Sequence, residues 1–215
     1  MQSITRRQFT GHLVRGAGLV VMSSAALSLD GCSVWTDIVN WIPVGEAAVN
    51  SILSLLTANG VLIAAPIQVI VSLIEAGFTA LKGAVQEYQS TTPPPVGALA
   101  KVEAGFKAVI DNFTTFVQSL GVSGGLLGII TGLAQIIFGT LAAFMNKLPA
   151  SSSLRRTVVI GLTVKVGTAT VAVNPKMRTR RVFKKDWNAT MATSPRVGVT
   201  CPPSAYLPVS FWEKL

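Results

Sequence analysis

Two cysteines, one histidine and nine acidic residues are all that this 215-residue chain offers for thiolate or imidazole chemistry and carboxylate pairs. His12 precedes Cys32, and from Cys32 onward there is no histidine at all. Ser-His-Asp and Cys-His catalysis and histidine metal sites therefore have no source there. The carboxylates after Cys32 (Asp37, Glu46, Glu75, Glu87, Glu103, Asp111, Asp186 and Glu213) fall singly along the sequence. Acid–base work needs two such groups in environments that split their pKa values. Only folding could supply that, with Glu75 and Asp111 as the pair on neighbouring helices. No Gly-x-Gly-x-x-Gly follows a strand and no Gly-Lys-Ser/Thr phosphate loop occurs. The expectation is a protein that is not an enzyme and carries no cofactor or metal.

Cys32 closes the stretch "LSLDGC", and what precedes it gives the thiol a different chemistry. Arg6, Arg7 and Arg15 make a basic start, followed by a short apolar run from Gly16 to Leu29 rich in Ser, Gly and Ala. That order is the pattern of a removable secretory signal. Within it "TRRQF" resembles the twin-arginine export signal of bacteria, which implies that Arg6 and Arg7 are read by the translocase with Phe9 in the favoured position. Thr10 and Gly11 depart from that family's usual Leu and Lys. Leu29, Gly31 and Cys32 resemble the lipobox of bacterial lipoproteins, with Asp30 its unusual member. The resemblance implies cleavage before Cys32, acylation of its thiol, and a cell-envelope location. Ser33 after the cysteine implies the outer membrane facing the periplasm. Cys201 is then left without a partner within the chain.

The other notable set is basic. Residues 33–150 carry six acids and four bases, whereas residues 151–215 carry eleven Lys and Arg against Asp186 and Glu213. Arg178, Arg180, Arg181, Lys184 and Lys185 lie close together, interleaved with Val182, Phe183 and Trp187. On a helix the bases cover half the circumference and the three apolar residues the other half. Such a face is either a solvated surface or a dock for an anionic partner: acidic lipid headgroups, lipopolysaccharide or an acidic envelope protein. Export argues against nucleic acid as the partner. Asn112-Phe-Thr and Asn188-Ala-Thr fit the glycosylation pattern, by chance in a chain with a bacterial signal.

The elements that must position these groups are helical up to residue 150. Pro43 suits a first helical position, and the run after it stops at Asn59-Gly60. From Val61 to Gln89, with Pro66 at its start, Gln68, Ser72, Glu75, Thr79, Lys82, Gln86 and Gln89 form one polar stripe. Ile67, Ile70, Ile74, Phe78, Leu81, Val85 and Tyr88 fill the opposite side. "STTPPPVG" breaks the chain. From Val96 to Leu120, Leu99, Val102, Phe106, Val109, Phe113, Phe116 and Leu120 follow a 3-4 seam. A fourth helix covers Gly124–Lys147. Two αα-hairpins, the first and second helices and the third and fourth, give a mainly α four-helix bundle over residues 32–150 behind a signal at 1–31. Residues 151–215 form a basic C-terminal module with a small β-hairpin, because Val158 to Val166 alternate in polarity and Ala169, Val171 and Val173 resume after a turn.

The fourth helix holds two readings open. No charge occurs between Asp111 and Lys147, and Gly124, Gly128 and Gly132 recur every four residues, as do Gly121 and Gly125. A bilayer span with close helix contacts fits this, with Gln135 then needing a hydrogen-bond partner in hydrocarbon, and a helix buried all round in a bundle fits it too. The function expected is a lipid-anchored envelope protein with a structural or partner-binding role, its basic face on an anionic surface. The alternatives are a membrane-inserting helical protein of pore type and a binding module for an apolar ligand.

Overall fold

A computed structural model of the chain describes residues 10–149, 163–166 and 169–208, with side-chain surroundings from Val34 onward. Arg6, Arg7, Phe9, the side chain of Cys32, Arg155, Arg156 and the expected linker and strand start at 150–162 lie outside the described residues. Five α-helices are described: α1 (Thr10–Ala58), α2 (Ala65–Gln89), α3 (Ala98–Ser119), α4 (Gly124–Lys147) and α5 (Arg180–Met191). Strands β1 (Thr163–Val166) and β2 (Ala169–Ala172) separate α4 from α5, and two 3₁₀ turns, Ser194–Val197 and Pro203–Ala205, follow α5. The chain divides after Thr36, and the residues from Asp37 onward make one compact unit. The expectation of a mainly helical bundle holds.

Pro43 does not open a helix; α1 runs straight through it. A proline removes one i→i−4 bond and usually breaks or kinks a helix. Here Pro43 is exposed, while Trp41, Ile42 and Val44 around it are buried. Packing on one side holds what the backbone loses on the other. The end of α1 follows expectation: Gly60 takes φ +73°, and Val61 N–H donates to Leu56 O at 3.0 Å.

α2 pairs with α3, across the proline link, far more extensively than α3 pairs with α4 in the second expected hairpin. Gly77 and Gly105 are the physical reason. A Cβ on Gly77 would stand 3.1 Å from Val109, and one on Gly105 would stand 3.0 Å from the Leu81 backbone. The two backbones approach closely because both crossing points lack a side chain. Asn112 Nδ2 donates to Leu73 O at 3.2 Å, and Lys101 pairs with Glu87 at 2.6 Å near the link. These matched positions make the pair antiparallel, so "STTPPPVG" is the turn of a close helical hairpin.

Trp41 joins four helices. Its ring meets Phe78 of α2 and Phe144 of α4 edge-on at 5.8 Å each, and Phe183 of α5 at 5.6 Å. Such geometry adds about 0.5–1.5 kcal/mol per pair beyond burial. Phe113 packs on Phe138 at 5.1 Å, and the α3 seam from Val102 to Leu120 is buried as its spacing predicts. α4 is buried almost continuously from Ile129 to Met145. Its cover comes partly from downstream chain. Gly125, Gly132 and Gly139, seven residues apart, face Val197, Thr190 and Asn174 in turn, and Lys176 N–H donates to Gly139 O at 2.9 Å. The glycines that count are thus spaced by seven and seat the C-terminal segment; Gly124 and Gly128 are exposed, and a Cβ on either would meet nothing.

β1 and β2 pair antiparallel, with Thr163 opposite Ala172 and Val166 opposite Ala169. Val164 and Val166 are the buried face of β1, which lies against α3 and α4. Two strands alone are marginal in water, and this support is what holds them.

Candidate functional site

α5 begins at Thr179, whose Oγ1 accepts a hydrogen bond from Val182 N–H at 3.4 Å, an N-cap. Phe183, Trp187 and Met191 recur every four residues and are all fully buried. Val182 does not share their face: it is 37 % exposed, one residue out of phase with the buried row.

A set of side-chain to backbone bonds pins this segment to α1. Trp187 Nε1 donates to Ser51 Oγ at 3.1 Å and to Ala205 O at 3.2 Å, and Ser51 Oγ–H donates to the same carbonyl. Asn59 Nδ2 donates to Thr200 O at 2.7 Å and its Oδ1 accepts from Thr200 N–H at 2.9 Å. Asn188 grips Leu207 in the same two-bond manner, both at 2.9 Å. The amide of the second glycosylation-like tripeptide is thus engaged in the fold.

The five basic residues singled out from sequence do not form one uniform face. Arg178 Nε donates to Asp186 Oδ2 at 2.8 Å, and its side chain is only 10 % exposed. Lys184 is buried at 7 % relative exposure. Arg180, Arg181 and Lys185 are exposed. Arg178, Thr179, Arg180 and Arg181 line a cleft of about 340 Å³ whose opposite wall is Asp37 and Asn40 of α1. Arg180 also lines a second cleft of about 190 Å³, with Lys184 and the apolar residues Pro43, Val44, Ala47, Leu207 and Pro208. Sequence reasoning missed Asp37, Asn40 and this apolar wall. No local pattern could give them, because Asp37, Asn40, Pro43, Val44 and Ala47 lie in α1, far from the arginines in the chain, and Leu207 and Pro208 lie beyond α5.

Glu75 and Asp111, the two carboxylates considered for acid–base work, each have another charged neighbour. Asp111 pairs with Lys107 on its own helix. Glu75 acts instead on Glu46 of α1: burial pushes the Glu46 carboxyl above its ordinary value, Lys82 opposes this, and Glu75 adds to it. Cys201 is half-buried, 3.7 Å from Met191 Sδ. Its hydrogen bond with Tyr206, together with burial, pushes the Tyr206 phenol up. Among the described residues no group of three or more His, Cys, Asp or Glu is placed to hold a metal ion.

Three segments are long and apolar enough to cross a membrane: Val34–Ala58, Ala65–Gln89 and Gly124–Lys147. Their burial differs. The apolar window of α4 is 72 % buried within the protein, that of α2 only 39 %. Leu62, Val69 and Leu73 stand exposed along α2 and the turn before it, continued by Ala76, Ala80 and Gly83 at alternating intervals of three and four. No protein-family model, no curated protein and no solved structure matches this chain.

Proposed function

We propose that this chain is a non-enzymatic, lipid-anchored protein of the bacterial envelope, exported through Arg6 and Arg7 and tethered by acylated Cys32. Its helical bundle carries a C-terminal module with a short β-hairpin, and the basic face of that module docks on an anionic surface. Acidic lipid or lipopolysaccharide, or an acidic envelope protein, would be the partner. One acyl chain alone binds a membrane only marginally, so a second, electrostatic signal is what makes attachment stable. The observation that carries the reading is the rigidity of α5: Phe183, Trp187 and Met191 lock it into the core while Arg180, Arg181 and Lys185 stay at the surface. Charges on a fixed element meet a charged plane without first being ordered.

Two measurements test it. Cells fed a fatty-acid probe should label the wild-type chain and not Cys32→Ala; an unlabelled wild type removes the anchor. Neutralising Arg180, Arg181 and Lys185 together should weaken vesicle binding and flatten its salt dependence. Unchanged binding removes the dock.

A second reading has its own observation. The exposed apolar strip of α2 fits a helix that enters the bilayer surface or spans it. Release of Cys32→Ala protein by alkaline carbonate would argue against insertion, and retention would favour it.

A further inference from the structure

The two clefts that meet at Arg180 differ in chemistry, and together they describe one kind of ligand. The larger is lined by three guanidinium groups, one hydroxyl, one amide and one carboxylate. Its volume of about 340 Å³ falls at the small end of ordinary ligand pockets. The smaller cleft is apolar apart from Arg180 and Lys184. Around them the formal charges are Lys176, Arg178, Arg180, Arg181, Lys184 and Lys185 against Asp37 and Asp186, a clear cationic surplus. Asp186 is engaged by Arg178 and Lys176, at 2.8 and 3.5 Å. That arrangement fixes the Arg178 side chain in the wall of the cleft. Planar guanidinium groups match phosphate oxygens two at a time, which lysines cannot do.

We infer that these joined clefts bind a single anionic phospholipid, its phosphate against Arg178, Arg180 and Arg181 and the start of an acyl chain along Pro43, Val44, Ala47, Leu207 and Pro208. The site deepens the docking function proposed above and rests on it for the source of the ligand. Only four residues lie between Cys32 and Asp37 in the chain. An acylated Cys32 therefore keeps the mouth of the cleft within reach of lipid headgroups. A free phosphate would satisfy the arginines and leave the apolar wall idle.

Native mass spectrometry of the full chain released from a nonionic detergent counts bound lipids directly. Phosphatidylglycerol should be retained at one molecule per chain, saturably, and phosphatidylcholine should bind at least about 10-fold more weakly. Glycerol 3-phosphate should not compete at matched concentration. Arg180→Ala with Arg181→Ala should lose roughly 10- to 100-fold in phosphatidylglycerol affinity. Asp37→Asn, which removes the one carboxylate from the cleft at an exposed position, should tighten binding; a purely structural effect would not produce that gain. Equal retention of phosphatidylcholine, non-saturating uptake, full competition by glycerol 3-phosphate, or no response to Asp37→Asn would each overturn the site. Loss of vesicle docking with one phosphatidylglycerol still retained would instead remove the surface-docking reading and leave the site standing.

Discussion

α2 and α4 are matched in length, at 25 and 24 residues, and both are strongly apolar, yet the fold treats them oppositely. α4 has the higher mean hydropathy, 2.0 against 1.4, and on composition it is the better membrane candidate. In the structure it is the central helix, covered by α3, β1, β2, α5 and the 3₁₀ turn at Ser194–Val197. α2 gives one face to the core, one to the polar stripe from Gln68 to Gln89, and keeps a third, apolar face at the surface. Apolarity therefore says how much a helix needs covering, and only the rest of the chain says what covers it. For α4 that cover is α3 and the C-terminal segment; α2 is covered on one side by α3 and keeps an apolar strip at the surface.

The contrast can be broken first by truncation. Phe144→Ala removes a ring that touches both Trp41 and Phe106 and should cost about 3–5 kcal/mol in denaturant unfolding. Leu73→Ala, on the outer strip of α2, should stay within about 0.5 kcal/mol of wild type. Equal losses would mean that the α2 strip is internal. Glycine replacement sharpens the same point with opposite signs. A Cβ on Gly139 would stand 2.7 Å from Asn174 O, so Gly139→Ala should destabilise by about 1–3 kcal/mol despite its better helix propensity. Gly83→Ala on α2 meets nothing and should stabilise by up to about 1 kcal/mol. Thermal unfolding of the two variants side by side checks both directions.

The C-terminal cover can also be loosened directly. Asn188→Ala deletes both bonds to Leu207 and should cost about 1–3 kcal/mol, with faster limited proteolysis after α5. The smallest effect concerns α2 and its charged neighbours. The Glu46 carboxyl lies above its ordinary value when folded, so the folded state holds its proton longer than the unfolded state does. This contribution to stability is present below the unfolded value, 4.5, and is lost as pH rises through the raised folded one. Glu46→Gln should remove that pH dependence and leave stability above the window slightly higher, as pH-dependent melting would show.

Much of the helical frame was legible because it depends on local period. The α3 seam is buried along Val102, Phe106, Val109, Phe113, Phe116 and Leu120, and every member of the α2 polar stripe is exposed. What was illegible depends on partners far along the chain. The four-residue glycine spacing in α4 is visible at once, but the spacing of seven that the fold uses is set by Val197, Thr190 and Asn174. Pairing of α2 with α3 turns on Gly77 and Gly105, two small residues inside otherwise ordinary helical runs. At the candidate site the cations were legible as a cluster. Their division into a half-buried pair at Arg178–Asp186, a buried Lys184 and an exposed remainder was not, because it follows from where α5 is clamped.

The grip of Asn59 on Thr200 is made with a side chain on one partner and only main chain on the other. A carboxamide presents one donor and one acceptor at the separation of a peptide unit, so aspartate would forfeit the donor and glutamine would overshoot by a methylene. Position 200, exposed and contributing nothing of its own identity, is free to drift through evolution while position 59 is not. In sequences descended from a common ancestor with this one, variation should therefore be lopsided across that contact, tolerant at 200 and fixed at 59.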